Sequence, residues 1–222
     1  MRLVLLSGGL DSSVALAVAL ESGSVGVGLF FDYGQRAVAR EEASARAVAQ
    51  RFGVPFRLET IPLLARLGGA LTHRAPVPVL QPGDLGNLRV LQETAAVVWV
   101  PNRNGLFINL AAAIADDAGG GQIIVGFNRE EAVTFPDNSQ AFVEATNAAL
   151  SFSSRSQVQV VAPLADLDKE EIVRRGLELG VPLESVWSCY EGERAMCGQC
   201  ESCLRLKRAY AAVGRPELWT GR

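Results

Sequence analysis

The stretch Ser7-Gly8-Gly9-Leu10-Asp11-Ser12 decides the fold of this chain. It follows an apolar run at 3–6 and precedes a helix-like segment at 13–20. A buried strand, a tight glycine turn and a helix start make an anion cradle, because the first N–H groups of a helix have no intrahelical partner and the helix dipole adds positive potential. The glycines let the backbone approach a ligand closely. The stretch therefore predicts a site for the phosphates of a nucleotide.

An ordinary turn between a strand and a helix would also use two glycines, with no ligand. The hydroxyl groups of Ser7 and Ser12, at the very start of the chain, favour the phosphate site. The spacing differs from the Walker pattern, because no lysine follows the second glycine.

Length and composition suit one α/β domain with a small appended element. The chain has 222 residues, of which 49% are hydrophobic and 20% charged, as in ordinary globular proteins. Its net charge of -3 argues against a large nucleic-acid surface, which needs a basic face. Because no apolar run reaches membrane-spanning length and no signal peptide precedes the first strand, we expect a cytoplasmic protein with neither nucleic acid nor membrane as a partner. Lys169 and Lys207 are the only lysines, which we interpret as compositional bias.

Alternating apolar and helix-like segments predict an α/β fold with a doubly wound parallel sheet. Strands are predicted at 2–6, 25–31, 56–61, 122–126 and 158–161, and helices at 11–21, 35–52, 105–117 and about 140–150. Asp168 and Glu171 fit a capping box for one more helix, which ends before Gly180. Right-handed crossovers in such a succession bring ligands to the carboxyl ends of the strands.

The pattern weakens between 62 and 97, where prolines and glycines interrupt it. A structureless stretch of this length inside a compact domain is usually a functional loop or lid. The only histidine, His73, lies in it, either solvated or in contact with a substrate.

Polar clusters lie at or near the ends of predicted strands. Tyr33, Gln35 and Arg36 follow the second strand, and their ring, donors and acceptors suit a planar heterocycle or a carboxylate. Arg103 and Asn104 stand between a proline and a helix, where a guanidinium can reach phosphate oxygens. A solvated loop and a surface helix start are the respective alternatives.

Acidic and amide groups gather after the fourth strand, at Asn128, Glu130, Glu131 and Asp137. Carboxylates beside a triphosphate usually indicate Mg²⁺, which is held by few protein ligands and by the phosphates. The sequence predicts Mg²⁺ here without selecting among the three acids.

Four cysteines crowd the C-terminal region, at Cys189, Cys197, Cys200 and Cys203. In a cytoplasmic chain, two overlapping CxxC pairs with a fourth cysteine upstream predict a closed tetrahedral zinc site. An iron–sulfur cluster is the main alternative, and free reactive thiols are another. Four ligands leave no open position, so the metal is expected to be structural.

Both ends of the chain carry motifs of known families. The loop at 7–12 resembles the SGGxDS loop of the PP-loop ATP pyrophosphatases, and the whole chain resembles the 7-cyano-7-deazaguanine synthases of queuosine and archaeosine biosynthesis. The matching segments are SGGLDS at 7–12, FDYGQR at 31–36, VPNRN at 100–104, GFN at 126–128, FPD at 135–137, PL at 163–164, SCY at 188–190 and CGQCESC at 197–203. Each segment is short, but their order and spacing together are specific.

The resemblance implies an adenine nucleotide alpha hydrolase-like fold with Rossmann-type layers. It implies a PP-loop domain at 1–186 and a small helical zinc-binding element at 187–222 packed on it. It also implies a C–N bond-forming ligase that uses 7-carboxy-7-deazaguanine, ammonia and ATP, with Mg²⁺ and one structural Zn²⁺. A homodimer is left open.

The resemblance also places the site residues. Nucleotide contacts are expected from Leu6, Ser7, Gly8, Gly9, Leu10, Asp11, Ser12, Ser13, Val14, Ala15 and Leu16, and zinc ligation from the four cysteines. Catalytic roles are expected for Ser7, Asp11, Ser12 and Arg103, and substrate contacts for Tyr33, Gln35, Arg36, Asn104, Asn128 and Asp137.

We expect the substrate carboxylate to attack the α-phosphorus of ATP, so that pyrophosphate leaves into the loop at 7–12. Ammonia then displaces AMP to give an amide, and a second activation of the amide oxygen gives the nitrile. Loss of one oriented donor from such a loop can cost roughly 100-fold in rate. Asp11 is assigned to metal or loop positioning, with N-capping of the first helix as the alternative. Cleavage of ATP to ADP instead of AMP stays open.

The sequence also departs from the commoner pattern of this family. Ala37 stands where a histidine often follows YGQR, Asn102 replaces the glycine of VPGRN, and the segment 130–138 differs from the DYSGYPDC-like one. These changes lie near the expected substrate end of the site and indicate a divergent branch of the family.

Three other functions stay open. The first is adenylation for tRNA sulfur transfer, which normally needs an RNA-binding extension and a thiol outside the cysteine cluster. The second is a non-catalytic nucleotide-binding module. The third is attachment of the activated deazaguanine to a protein amine.

Overall fold

The computed structural model describes residues 1–222. The strands are β1 (Arg2–Leu5), β2 (Val27–Asp32), β3 (Phe56–Thr60), β4 (Gly121–Ile124) and β5 (Val158–Val161). The helices are α1 (Leu10–Glu21), α2 (Val38–Arg51), α3 (Leu88–Val98), α4 (Arg103–Asp117), α5 (Arg129–Ala132), α6 (Gln140–Ser153), α7 (Lys169–Glu178) and α8 (Glu201–Ala212). All five strands run parallel in the order β3-β2-β1-β4-β5. The predicted α/β fold with a parallel sheet is confirmed.

Both faces of this sheet are covered by helices, so the central strands β1 and β2 are mainly apolar, whereas the edge strand β3 has the sequence FRLET. Successive side chains of a strand point to opposite faces. Leu3 accordingly packs with residues of α4 and α6, whereas Val4 packs with residues of α1, α2, α7 and α8. The sheet is therefore the middle of three layers, as the prediction of a doubly wound sheet requires.

The strand order places a topological switch point between β1 and β4. The chain moves outward from β1 to β2 and β3, then returns to pair β4 with the other side of β1. In an open parallel sheet a crevice forms at such a point, at the carboxyl ends of the strands. The loop at 7–12, which follows β1, lies at this crevice.

The stretch 62–97 is more ordered than its sequence suggests. Short 3₁₀ helices lie at Leu64–Arg66, Ala70–Thr72 and Pro82–Gly86, and α3 begins at Leu88. The expectation of a structureless stretch is therefore wrong. The signal for α3 was local, because the Asn87 side chain accepts hydrogen bonds from the N–H groups of Arg89 and Val90 as an N-cap.

The predicted capping box of α7 is present. The Asp168 side chain accepts from the N–H groups of Glu170 and Glu171, and the Glu171 carboxylate accepts from the Asp168 N–H. None of the helices has the length and apolar character needed to cross a membrane.

Candidate active site

The loop at 7–12, which we call the phosphate loop, is held by its own serines. The Ser7 N–H donates to Ser12 Oγ at 3.1 Å, and the Ser7 and Ser12 hydroxyls lie 3.0 Å apart. The Ser13 hydroxyl donates to the Gly9 carbonyl at 2.7 Å. These contacts fix the loop at the N-terminus of α1, where the free N–H groups of the first turn favour an anion.

Neighbouring segments clamp the same loop from outside. The Gly8 carbonyl accepts from the Ser44 hydroxyl at 2.6 Å and from the Trp187 N–H at 3.0 Å. Gly8 has a φ of +79°, a conformation that favours glycine. On the opposite side, a Cβ at Gly126 would lie 2.8 Å from the Ser12 nitrogen. Glycine at 126 therefore allows the backbone just after β4 to pack closely against the phosphate loop.

A cleft opens beside the phosphate loop. This first cleft has a cavity volume of about 220 Å³. Its wall consists of Leu5, Leu6, Ser7, Gly9, Asp11, Ser12, Leu29, Phe30, Phe31, Tyr33, Gln35, Glu41, Arg103, Asn104, Phe107, Val125, Gly126, Phe127, Glu131 and Asn138. Polar groups at the loop and apolar groups along β2 give it the character of a nucleotide site.

A buried ion-pair cluster lies beneath the phosphate loop. The Lys169 ammonium is 2.6 Å from Asp11 Oδ2 and 2.5 Å from Glu131 Oε1. Burial opposes the charge on Lys169, but the two carboxylates outweigh it and raise the pKa of Lys169. Burial likewise opposes ionisation of Glu131, whose pKa Lys169 nevertheless lowers. Burial raises the pKa of Asp11 to about 6, so Asp11 is the less well compensated carboxylate of the two.

Asp11 does not cap α1, so that alternative is wrong. The N-cap residue of α1 is Gly9, and no side chain accepts from the first turn there. Asp11 instead pairs with Lys169, and its other oxygen, Oδ1, is buried with no hydrogen-bond partner. An unpaired buried carboxylate oxygen is costly, so this atom is available for a ligand.

Arg103 lines the first cleft. Its Nη1 donates to the Tyr33 hydroxyl at 3.3 Å, and its guanidinium carbon lies 5.8 Å from the centre of that ring. Burial opposes its charge, but Tyr33, Asp137 and Glu41 together raise the pKa of Arg103. Arg103 thus presents a fixed positive charge to the cleft that the phosphate loop also lines.

A second cleft, with a cavity volume of about 130 Å³, adjoins the first. The two share Arg103, Glu131 and Asn138 in their walls. The remaining residues of the second cleft are Leu71, Val98, Trp99, Val100, Phe135, Asp137, Tyr190 and Ser202. Two neighbouring clefts that meet at one arginine suit a reaction between two bound molecules.

The structure brings most of the predicted site residues to these walls. The first cleft includes Leu6, Ser7, Gly9, Asp11, Ser12, Tyr33, Gln35, Arg103 and Asn104, and the second includes Asp137. Gly8 is turned towards α2, and the residues Leu10, Val14, Ala15 and Leu16 belong to the hydrophobic core, with Ser13 buried beside them.

Two predicted substrate contacts lie outside both walls. The Arg36 guanidinium donates to the carbonyls of Ala70 and Ala75 at 2.6 and 2.8 Å and pairs with Glu191. Asn128 is fully buried, and its side chain caps α5 by accepting from the Glu131 N–H. These two residues hold loops in place.

Sequence reasoning missed several wall or support residues, namely Glu41, Trp99, Phe107, Gly126 and Lys169. The rarity of lysine in this chain was the one available signal for Lys169. The aromatic and glycine residues had no local pattern, because their roles arise where distant strands meet.

The four cysteines form one cluster. Their Sγ atoms lie within 4.8 Å of one another, and no disulfide joins them. The Sγ atoms of Cys197 and Cys203 are 3.9 Å apart, close to the roughly 3.8 Å that a tetrahedral site with bonds of about 2.3 Å requires. N–H groups of Glu191 and Cys197 point at Cys189 Sγ, both at 3.3 Å. The cluster can hold a metal ion.

Comparison with known proteins agrees with these features. The family described as "Queuosine biosynthesis protein QueC" matches residues 1–214. The chain belongs to the QueC family. The 7-cyano-7-deazaguanine synthase of Pelotomaculum thermopropionicum is 45% identical over 214 residues, which cover 96% of this chain and 97% of that protein. The enzyme of that name from Carboxydothermus hydrogenoformans is 46% identical, covering 93% of this chain and 96% of its own. The resemblance inferred from the motifs is confirmed.

A solved structure supports the fold of this QueC-family chain. The NMN synthetase from Francisella tularensis aligns with a TM-score of 0.50 at 14% identity, covering 96% of this chain and 84% of the synthetase. At that identity the likeness concerns the fold alone.

Lys169 provides a test of the ion-pair cluster. Replacing it by methionine leaves two half-buried carboxylates without a cation, so we expect the free energy of unfolding at pH 7 to fall by about 3 kcal/mol, the low end of the range for buried pairs. The measurement is urea denaturation, with Lys207→Met as the control, because Lys207 is the other lysine and is exposed.

The pH dependence adds a second readout. In the wild type, Glu131 contributes stability above its ordinary pKa of 4.5, and this is lost as the pH falls through its lowered value. In Lys169→Met the buried carboxylates take up protons more readily as the pH falls. The gap between wild type and variant should therefore narrow from pH 7 to pH 4, and a constant gap would contradict the role of Lys169.

Proposed function

We propose that this chain is a 7-cyano-7-deazaguanine synthase, which converts 7-carboxy-7-deazaguanine, ammonia and ATP into the nitrile. The observation that carries the proposal is the meeting of two clefts at Arg103, one beside the phosphate loop and one lined by aromatic rings. Its QueC-family relatives carry the name of this enzyme. The proposal includes the cytoplasm as its location, since the four thiols are unpaired by disulfides.

In this proposal the triphosphate of ATP lies on the phosphate loop and the adenine lies against the apolar wall. The N–H groups at the start of α1 and the hydroxyls of Ser7 and Ser12 bind the β- and γ-phosphates. Phe31 and Phe107 lie in the apolar part of the wall, with their ring centres 4.6 Å apart. Aromatic surfaces of this kind bind a purine ring by stacking.

Asp11 fits the Mg²⁺ that accompanies ATP. Asp11 lines the first cleft and its Oδ1 is buried without a hydrogen-bond partner, and carboxylate oxygen is the ligand that Mg²⁺ prefers. When bound there, Mg²⁺ neutralises charge on the phosphates. Glu130 is less suited, because Arg205 and Arg208 occupy its oxygens.

The chemistry follows from the poor leaving ability of a carboxylate oxygen. The substrate carboxylate attacks the α-phosphorus, the bond from that phosphorus to the bridging oxygen breaks, and pyrophosphate leaves with the negative charge. Arg103 neutralises the carboxylate and the α-phosphate, and the phosphate loop stabilises the pyrophosphate. Ammonia then displaces AMP and loses a proton to give the amide. The amide oxygen attacks a second ATP in the same way and pyrophosphate leaves, and loss of AMP together with both protons of the amide nitrogen leaves the nitrile.

The four cysteines fit a structural Zn²⁺. The donor set is purely thiol, the Sγ spacing suits a tetrahedron, and backbone N–H groups point at two of the sulfurs. Zn²⁺ held this way keeps four ligands and lacks an open position, so its role is to fold the C-terminal element.

The other functions have less support. A sulfur-transfer enzyme normally needs a thiol at its active site, whereas all four cysteines of this chain lie in one cluster. A simple nucleotide-binding module gives no reason for the second cleft. Transfer to a protein amine would require that the amine of another protein reach Arg103 through an open path. We therefore keep ammonia as the nucleophile.

The decisive experiment uses the purified full-length chain with ATP, Mg²⁺, ammonium and 7-carboxy-7-deazaguanine. Mass spectrometry should detect the amide and then the nitrile, with AMP and pyrophosphate accumulating in proportion. Absence of both organic products would refute the proposed function. ADP without AMP would refute adenylation while leaving nitrile synthesis in place.

Gly126 tests whether the phosphate loop binds ATP. A methyl group at this position would overlap the backbone at Asp11 and Ser12, so Gly126→Ala should displace donors from the phosphates. Losing one hydrogen bond to a charged group, about 1.5–3 kcal/mol, weakens binding roughly tenfold or more. Titration calorimetry with ATP and Mg²⁺ measures this, with Gly83→Ala as the control, since nothing lies within 4 Å of a Cβ there. Equal affinities in the two variants would place ATP elsewhere.

Metal analysis tests the cysteine cluster. We expect about one zinc per chain, and a lower melting temperature after chelation, because binding to the folded state alone stabilises it. Cys200→Ser should lose most of the zinc, since Cys200 is buried within the set. Iron with visible colour, or a mass lower by two hydrogens per disulfide, would show the assignment to be wrong.

A further inference from the structure

The second cleft contains a pair of aromatic rings. Trp99, directly after α3, and Phe135, between α5 and α6, both line it. Their ring planes are parallel to within 7°, and their centres lie 6.4 Å apart. A flat heterocycle stacked on one ring is therefore also parallel to the other, and stacking of a base on an aromatic side chain contributes about 1–3 kcal/mol.

Asp137 is the carboxylate of this region that no cation occupies. Asp11 and Glu131 pair with Lys169, and Glu130 pairs with Arg205 and Arg208. Asp137, in contrast, forms no ion pair within 4 Å, and its polar side-chain contact is with the neighbouring Asn138 amide. Its oxygens can thus accept hydrogen bonds from a ligand in the second cleft.

The chemistry of a carboxylate selects one kind of heterocycle edge. An ionised carboxylate only accepts, and it suits two adjacent donors. A deazaguanine offers such a pair in its N1–H and 2-amino groups. Adenine offers an acceptor at N1, which a carboxylate repels. The second cleft therefore favours the deazaguanine over the adenine of ATP.

We propose that Trp99 and Phe135 stack the deazaguanine ring and that Asp137 recognises its N1–H and 2-amino edge. The 7-carboxylate lies on the five-membered ring, away from that edge, and so extends towards Arg103, where the two clefts meet. The residues that select the acceptor are thus separate from those that bind ATP. This inference rests on the proposed function.

The zinc-binding element completes the wall of this pocket. Tyr190 follows Cys189, and Ser202 precedes Cys203, and both line the second cleft. The Ser202 hydroxyl lies 3.2 Å from that of Ser188. Ordering of the cysteine cluster therefore also orders one side of the pocket for the heterocycle.

Steady-state kinetics of the full-length enzyme test the stacking. Trp99→Ala and Phe135→Ala should each raise KM for 7-carboxy-7-deazaguanine about tenfold, the loss of one stacking contact. KM for ATP should stay within about twofold, because the phosphate loop is untouched. Trp99→Phe, which keeps an aromatic face, should recover most of the affinity. Phe152→Ala is the matched control, since Phe152 is 92% exposed and lines neither cleft.

Asp137→Asn tests recognition of the edge. The wild type should prefer 7-carboxy-7-deazaguanine by about tenfold or more over the analogue that lacks the 2-amino group. This factor corresponds to the binding free energy of a bidentate hydrogen-bond contact. Asp137→Asn should lose most of this preference by weakening the parent substrate, with KM for ATP unchanged.

The outcomes separate the two proposals. Absence of turnover by the wild type would refute the proposed function itself. If the wild type turns over but the alanine variants keep the wild-type KM for 7-carboxy-7-deazaguanine, the assignment of the second cleft is wrong. It is also wrong if these variants raise KM for ATP and leave KM for the acid unchanged. An undiminished preference in Asp137→Asn would overturn the role of Asp137 alone.

Discussion

The ammonium of Lys169, buried between Asp11 and Glu131, joins the three segments that build the site. Asp11 belongs to the loop after β1, Glu131 to α5 after β4, and Lys169 to α7 after β5. These three strands are neighbours in the sheet, so their following segments converge at one edge. A single cation thus fixes the phosphate loop against two other connections. In the proposed ATP complex, the ammonium also offsets negative charge that would repel a triphosphate.

The C-terminal element is connected to this cluster by a second chain of contacts. Arg205 of α8 is buried between Glu201 and Glu130, and Glu130 adjoins Glu131 in sequence. Three of the four cysteines precede α8, and Cys203 lies in its first turn. Cys189, Cys200 and Cys203 belong to the same hydrophobic core as residues of α1 and α7. Loss of the cluster would therefore disturb more than a peripheral loop. In the proposed zinc-bound protein, the metal would fix α8, whose Arg205 pairs with Glu130 of α5.

The parts of this architecture that sequence could predict are those specified by neighbouring residues. The glycine loop, the capping box at Asp168 and the CxxC pairs each depend on spacing within one short segment. Lys169, Trp99 and Gly126 were not predictable in this way, because each acts on residues far away in the chain. Arg36 shows the converse error: it follows β2 beside true wall residues, yet its guanidinium turns to the carbonyls of Ala70 and Ala75. Position after a strand predicts the neighbourhood of a side chain but not its direction.

The departures from the commoner family pattern differ in what they change. Asn102 has a φ of +52°, a left-handed conformation that glycine adopts freely and asparagine tolerates best among other residues. The backbone that leads to Arg103 is therefore preserved. Ala37 is buried beside Gly192 and lines neither cleft. The segment 130–138, in contrast, contributes Phe135, Asp137 and Asn138 to the second cleft. Divergence that spares the phosphate loop and Arg103 but alters this wall would tune the acceptor while leaving the ATP chemistry intact.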